Sequence, residues 1–285
     1  MHLLYPEGGL RSGRRGGGMK IAHFADLHFG REDRDALEAA SDLIQGLDIG
    51  AIVVSGDLTQ RGKREEFEAA QAWLSGFRAP ILCVPGNHDT PLLNLPARAS
   101  DAFGRYDRYF SGRAGPIDLD NVSIRGLNTS RGWQARMNWA EGRVNLDDLD
   151  EVIAHSSQAD LHIIACHHPF LSPAKAGLQT ATKRGEEASR RLAASPVQIL
   201  LTGHVHTPHA ELIRESEGGY IAITAGTLST RLRAQPPAFN ILSVRDGIVA
   251  LNVQTFKDGR FHEAIHGSWD IQTLEPIRTP RVVAI

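Results

Sequence analysis

Five short clusters of metal-ligating residues, each closing an apolar run, constrain this chain more than its composition does. They are Asp26-Leu27-His28, Gly56-Asp57, Gly86-Asn87-His88-Asp89, His167-His168-Pro169 and Gly203-His204-Val205-His206. The runs before them, Ile21 to Phe24, Ala51 to Ser55, Pro80 to Pro85, Leu161 to Cys166 and Gln198 to Thr202, read as β-strands. Open α/β sheets bind ligands outside the carboxyl ends of their strands, so the five clusters are expected to converge.

From residue 19 to about 200 such runs alternate with amphipathic helical stretches, the pattern of an α/β architecture. Leu37, Ala40 and Ile44 share one helix face, and Phe67, Ala70 and Leu74 share a second, which Gly76 closes. Leu149, Val152 and Ile153 repeat the spacing behind Asn145, a fitting N-cap. Beyond residue 200, Tyr220 to Thr224, Phe239 to Val244 and Ile248 to Phe256 read as strands without helices between them. With the hairpin signal Asp246-Gly247, they predict an antiparallel half. One domain is expected from 19 to about 258, between an unstructured segment 1–18 and a hairpin and tail, 259–285. Met19, directly before the first strand, is the expected natural start.

A net charge of −2 gives no basic excess, so nothing indicates specific nucleic-acid or membrane-surface binding. No apolar run approaches the roughly 20 residues of a membrane helix. The patch Leu3-Leu4-Tyr5 is too short for a signal-peptide core, and a cytoplasmic location is expected. Cys83 and Cys166 lie inside apolar runs and read as core residues.

Asp26, His28, Asp57, Asn87, His167, His204 and His206 make seven potential ligands, too many for one ion. Carboxylate, amide and imidazole donors without thiolate suit Mn²⁺, Fe or Zn²⁺. If Asp57 is shared, each of two ions receives four protein ligands. Two divalent ions and two carboxylates leave about +2, which calls for an anionic substrate such as a phosphoester. Ions about 3.5 to 4 Å apart lower the pKa of a shared water toward 7 and clamp both oxygens of an in-line displacement. His88, needed by neither coordination shell, is the expected general acid for the leaving alkoxide.

In this order, D-x-H, G-D, G-N-H-D, H-x-P and G-H-x-H resemble the calcineurin-like metallophosphoesterase superfamily, over residues 19 to 258. The resemblance implies a four-layer α/β/β/α sandwich with two mixed sheets and a dinuclear site at strand C-terminal ends. By it, one ion takes Asp26, His28, Asp57 and His206, and the other Asp57, Asn87, His167 and His204. His167 matches the family's ligand because it stands two before Pro169. Strand alternation sends His168 elsewhere, toward substrate or behind the ligands.

Gln60, three beyond Asp57, departs from the Asp of Ser/Thr protein phosphatases and from the Tyr of purple acid phosphatases. The G-N-H-D ending, His167-His168-Pro169 and the run Gly226-Thr227-Leu228-Ser229-Thr230-Arg231 are similar to bacterial class III cyclic-nucleotide and glycerophosphodiester phosphodiesterases. The expected activity is therefore hydrolysis of a small phosphodiester by a metal-bridging hydroxide. The alternatives on the same metals are a phosphomonoesterase, a nucleotide hydrolase and a lipid-headgroup pyrophosphatase. From another class comes a non-catalytic scaffold of the same fold, which expects missing ligands where all are present.

With no acid at position 60, Asp89 is the candidate to orient His88, unless it caps the following turn. Arg61 is expected on a substrate phosphate or, in its basic run, on the surface. Phe103, Tyr106, Tyr109 and Phe110, between ligand clusters, could stack a base, but their helical spacing points to core packing. Lys175, Lys183 and Arg184 are expected on a rim after His167. His23, His155 and His162 are expected to be structural or exposed, and His209 to lie behind the site or on the surface.

Overall fold

The computed structural model describes residues 18–91, 98, 100–132, 140–155, 159–174, 182–233 and 235–278. The segment 1–18, apart from Gly18, and Lys175 lie outside the described residues.

Seven strands form the first sheet: β1 (Met19–Phe24), β2 (Ile49–Ser55), β3 (Ile81–Val84), β10 (Ala238–Arg245), β11 (Ile248–Lys257), β12 (Arg260–Asp270) and β13 (Pro276–Arg278). Their order is β13-β12-β11-β10-β1-β2-β3. The second sheet runs β4-β5-β6-β7-β9-β8, from β4 (Ile117–Leu119), β5 (Val122–Gly126), β6 (Leu161–Ala165), β7 (Ile199–Thr202), β8 (His209–Glu215) and β9 (Gly218–Thr224). β1, β2 and β3 are parallel, as are β5, β6, β7 and β9; the remaining pairings are antiparallel.

Period-two alternation divides the side chains among three apolar layers. Ile21, Val53, Leu82 and Val84 of the first sheet meet Ile124, Ile163, Leu201 and Ile223 of the second between the sheets. Ala22, Phe24, Ile52 and Val54 face the other way, under α1 (Arg34–Gln45), α2 (Arg64–Ser75) and α3 (Gly104–Phe110). Ile164, Cys166 and Leu200 lie under α4 (Leu146–Ala154) and α5 (Gly185–Ala193). The result is a four-layer α/β/β/α sandwich, and coverage of both strand faces explains the unbroken apolar runs.

The helix signals correspond to real contacts. Asp33 accepts from Ala36 N–H at 3.1 Å to start α1, and Asn145 from Asp147 N–H at 3.2 Å to start α4. Gly76 caps α2, whose buried face is Phe67, Ala70 and Leu74 with Glu66. Tyr106 and Phe110 are buried, while Tyr109 stacks on Phe67 with planes 3° apart. Both cysteines are buried; burial pushes the Cys83 thiol up to about 12 and the Cys166 thiol higher still.

One expectation fails in part. The region after residue 200 is not wholly antiparallel, because β9 pairs in parallel with β7. The chain leaving β7 runs out along the sheet edge as β8 and returns as β9 between β8 and β7, so β9 has one partner of each sense. Residue 258 falls in the turn between β11 and β12, which pair along their whole lengths, and Trp269 of β12 is buried between the two sheets.

Candidate metal centre

All five clusters lie just beyond the carboxyl ends of β1, β2, β3, β6 and β7. Backbone hydrogen bonding continues past those ends: Asp26 N–H donates to Gly56 O at 3.0 Å, His28 N–H to Asp57 O at 2.9 Å and Gly203 N–H to His167 O at 3.0 Å. The loops are therefore mutually fixed before any side chain acts.

In D-x-H and H-x-H the outer residues turn to the centre while Leu27 and Val205 bury into the protein. That geometry needs left-handed backbone, and Asp26, His28, Asp57, His204 and His206 have φ of 54°, 46°, 53°, 71° and 58°. Left-handed φ is uncommon outside glycine and costs of order 1–3 kcal/mol per residue, so its concentration here marks a functional site. The motif glycines have a second reason. A Cβ on Gly56 would sit 2.6 Å from His167 Nδ1, and one on Gly86 2.2 Å from the Asp57 backbone nitrogen.

The tautomers converge as well. His167 Nδ1–H donates to Ser55 O at 2.9 Å, His206 Nδ1–H to Arg231 O at 2.7 Å and His88 Nδ1–H to Gln60 O at 2.8 Å. A carbonyl only accepts, so in each neutral ring the Nε2 lone pair is left for the centre, the usual way to orient a ligating imidazole. His206 Nε2 lies 3.2 Å from His28 Nε2 and 3.1 Å from Asp26 Oδ1. His167 Nε2 lies 3.1 Å from Asn87 Oδ1 and 3.4 Å from Asp57 Oδ2. Asp26 Oδ1 is buried without a hydrogen-bond donor of proper geometry among the described residues. Acceptors gathered on acceptors fit cations, and the donor set of carboxylate, amide and imidazole suits metal ions.

Potential ligand atoms group within 4.8 Å as Asp26, His28 and His206; as Asp26, Asp57 and His167; as His28, Asp57 and His88; and as His167, His168 and His204. Asp57 belongs to both of the middle groups and stands between the two ends.

A family model described as calcineurin-like phosphoesterase matches residues 19–208. The chain belongs to this family. The 3′,5′-cyclic adenosine monophosphate phosphodiesterase CpdA of Escherichia coli K12 is 22% identical over 264 residues, 85% of this chain and 92% of that protein. The glycerophosphodiester phosphodiesterase GpdQ of Enterobacter lignolyticus is 34% identical over 82 residues, and the match spans only 30% of that protein. A solved dimetal phosphatase from Danio rerio shares the fold at TM-score 0.61 and 14% identity, over 88% of this chain and 99% of that one. This calcineurin-like phosphoesterase is a hydrolase of phosphoester bonds, with clusters of histidine and aspartate that could hold metal ions.

Electrostatics in the phosphoesterase site follow from burial and from the two aspartates. Burial pushes His28 and His204 down to about 3, and His168 well below the usual range, with the charge on His167 acting in the same direction on His168 and His204. For His167, burial works downward, but Asp57 and then Asp26 outweigh it and raise the ring to about 9. His206 is also raised, by Asp26 against burial. Burial opposes ionisation of Asp57, yet the surrounding imidazoles, His167 first, hold its carboxyl well below the carboxylate range.

Asp89 does not orient His88. Its carboxylate accepts from Gly86 N–H (2.8 Å), Leu58 N–H (3.2 Å), Thr59 N–H (2.8 Å) and Thr59 Oγ1 (2.9 Å), clamping the Gly86–Asp89 turn to the loop after Asp57. Burial and then Asp57 push its carboxyl up to about 7, against the Gly86 and Thr59 donors. The Gln60 backbone carbonyl orients His88 instead, so the side chain at position 60 is dispensable for this.

His168 is not thrown to the opposite side by strand alternation, because β6 ends at Ala165 and the chain bends through both histidines. Its ring lies 4.7 Å from those of His167 and His204 and is held by Thr129 (3.0 Å to Nδ1) and Ala140 O (3.1 Å to Nε2), behind the ligands. Arg61 is exposed and its side chain has no partner among the described residues. His23 is buried beneath the site on Ser55 Oγ (2.9 Å), and Asn240 Nδ2 donates to its other nitrogen at 3.4 Å. His209 faces Glu211 at 3.6 Å. Arg231, quoted within a motif but given no role by sequence reasoning, enters the site with its guanidinium 3.0 Å from His88 Nε2.

Proposed function

We propose that this chain is a phosphodiesterase for a small phosphodiester, working through two metal ions of the Mn, Fe or Zn type. The observation that carries the reading is the convergence of Asp26, His28, Asp57, Asn87, His167, His204 and His206 around a shared carboxylate, with His88 Nε2 facing the same centre. Asp26, His28 and His206 would hold one ion and Asn87, His167 and His204 the other, with Asp57 common to both. The ions, when bound, activate water and neutralise phosphoryl charge.

The chain's own residues do the rest. The Ser55 and Arg231 carbonyls keep His167 and His206 in the ligating tautomer. The Gln60 carbonyl holds His88 Nδ1–H, so a second proton on this ring resides on Nε2, where a leaving alkoxide can take it. The diester preference is supported by the similarity to proteins named as cyclic-nucleotide and glycerophosphodiester phosphodiesterases. A groove of about 480 Å³ is lined by Asn128, Ser130, Arg131, Arg143 and Arg184 with Asn145, Asp147 and Asp148. Ser130 Oγ ties it to Pro85 O at 3.0 Å, just before the Asn87 turn.

Mn²⁺-loaded protein is expected to cleave bis(p-nitrophenyl) phosphate at least about tenfold faster, in kcat/KM, than p-nitrophenyl phosphate. The reverse preference would move the reading to a phosphomonoesterase. Leaving groups then test the acid. His88→Ala should slow an alkyl diester by about 10²- to 10⁴-fold and a nitrophenyl diester far less, since nitrophenolate needs little protonation. Equal losses on both substrates would assign His88 to positioning.

A further inference from the structure

We propose that Arg231 is the substrate-binding arginine of this centre, its guanidinium holding the non-bridging oxygens of the phosphoryl group beside His88. The proposal rests on the phosphoesterase site described above and names the group that grips its anion.

Three observations carry it. The first is placement. Arg231 Nη1 lies 3.0 Å from His88 Nε2, and 3.3 and 3.4 Å from the two ring nitrogens of His28. Near-equal distances to both nitrogens mean that the guanidinium lies over the His28 ring rather than on one lone pair. That contact is weak, and the one to His88 needs a lone pair on Nε2, so it opens when that nitrogen carries the proton of the general acid and frees the guanidinium for an anionic acceptor.

The second is charge. The guanidinium is half-buried, and among the described residues no carboxylate lies within ion-pair distance of it. Arg125 and Arg191, by contrast, reach Asp118 and Asp150 at 2.9 and 2.5 Å. A partly desolvated cation without a counterion, aimed at a centre that itself gathers cations, is unfavourable until an anion arrives. The planar fork of donors matches phosphate oxygens, which a lysine in its place would meet only as a point charge.

The third is rigidity. Thr227 Oγ1 donates to Asp26 O at 2.5 Å, Ser229 N–H to Thr227 Oγ1 at 3.0 Å, Arg231 N–H to Ser229 Oγ at 3.3 Å and Thr230 N–H to Arg31 O at 2.8 Å. The segment is thus stitched to the loop bearing Asp26 and His28. The backbone role of residue 231, accepting from His206 Nδ1, needs no particular side chain. Side-chain substitutions therefore separate anion binding from metal-ligand orientation.

The test titrates inorganic phosphate into metal-loaded full-length protein by calorimetry, for wild type, Arg231→Met and Arg231→Lys, with metal per chain and melting temperature measured on the same samples. Loss of one or two charge-assisted hydrogen bonds predicts phosphate binding about 10- to 100-fold weaker in Arg231→Met, at unchanged metal content, with partial recovery in Arg231→Lys. The diester KM should rise in the same order. Phosphate affinity within twofold of wild type in a folded Arg231→Met, metal content falling in step with phosphate affinity, or no phosphate binding by wild type would each overturn the assignment. Should Arg231→Met fail to fold, Arg231→Lys alone decides: phosphate affinity equal to wild type overturns the proposal. Because phosphate is the probe, the outcome is independent of whether wild type prefers diesters.

Discussion

Asp57→Asn is expected to lower metal-stimulated diester hydrolysis by about 10³-fold and to reduce metal per chain below the wild-type value, because it removes charge from a buried network at its shared member. Asparagine tolerates left-handed backbone, so the φ of 53° at this position survives the exchange. An amide oxygen in the place of Oδ1 still accepts the His88 N–H, now 2.9 Å away. What changes is Oδ2, which lies 3.4 Å from His167 Nε2 and 3.7 Å from His28 Nε2; an NH₂ group there donates where a ligand must accept. Elemental analysis and kcat/KM on the same preparation check the prediction. Full metal content with full activity would remove Asp57 from the shared position.

The second large effect is a divergence between metal-free and metal-loaded protein as pH rises. Without metal, His167 is held at about 9 against a reference of 6.5, because Asp57 and Asp26 outweigh burial. A raised folded-state value stabilises fully below the unfolded one and loses that stabilisation as pH climbs through the folded one. The metal-free protein should therefore weaken between pH 6.5 and about 9, by on the order of 3 kcal/mol from this pair. Asp57 is the partner in the same interaction and adds nothing separate in that window. Metal uptake must displace the His167 proton, so apparent metal affinity rises across the same range. Melting of chelator-treated protein should fall by roughly 6–12 °C while the metal-loaded form does not follow. Parallel curves would show that His167 is not protonated in the metal-free centre.

Much of this was legible before the structure. The strands preceding the five clusters, the helix faces and the Asp246-Gly247 turn all follow from local pattern, because burial period and turn chemistry are written within a few residues. The left-handed turn residues Asp246 and Gly247 have φ of 50° and 74°, as that hairpin requires. Convergence of the clusters was legible for the same reason, since a strand end is a local event and sheets collect such ends on one side.

The rest depends on pairings distant in sequence. Asp89 meets partners about 30 residues back, and neither neighbour nor spacing distinguishes that clamp from a bond to His88. The group orienting His88 is a main-chain carbonyl, for which no side chain is a marker. Arg231 reaches His88 across 143 positions; its faint local trace is the Thr227, Ser229, Arg231 alternation that builds the anchored segment. The parallel pairing of β9 is likewise invisible locally, since strand sense is decided by where the chain returns rather than by composition.

The five left-handed residues also limit how this centre can change. Positions 28, 204 and 206 hold histidine in this conformation at a cost of order 1–3 kcal/mol each, together a sizeable part of the net stability of many domains, while Asp26 and Asp57 adopt it more readily. Glycine, asparagine and aspartate carry that conformation most readily, so glutamate or cysteine as replacement ligands meets a backbone barrier before any question of coordination. A descendant freed from catalysis would gain stability by placing glycine at these points, and metal specificity would evolve more readily through the residues behind the rings than through the ligands themselves.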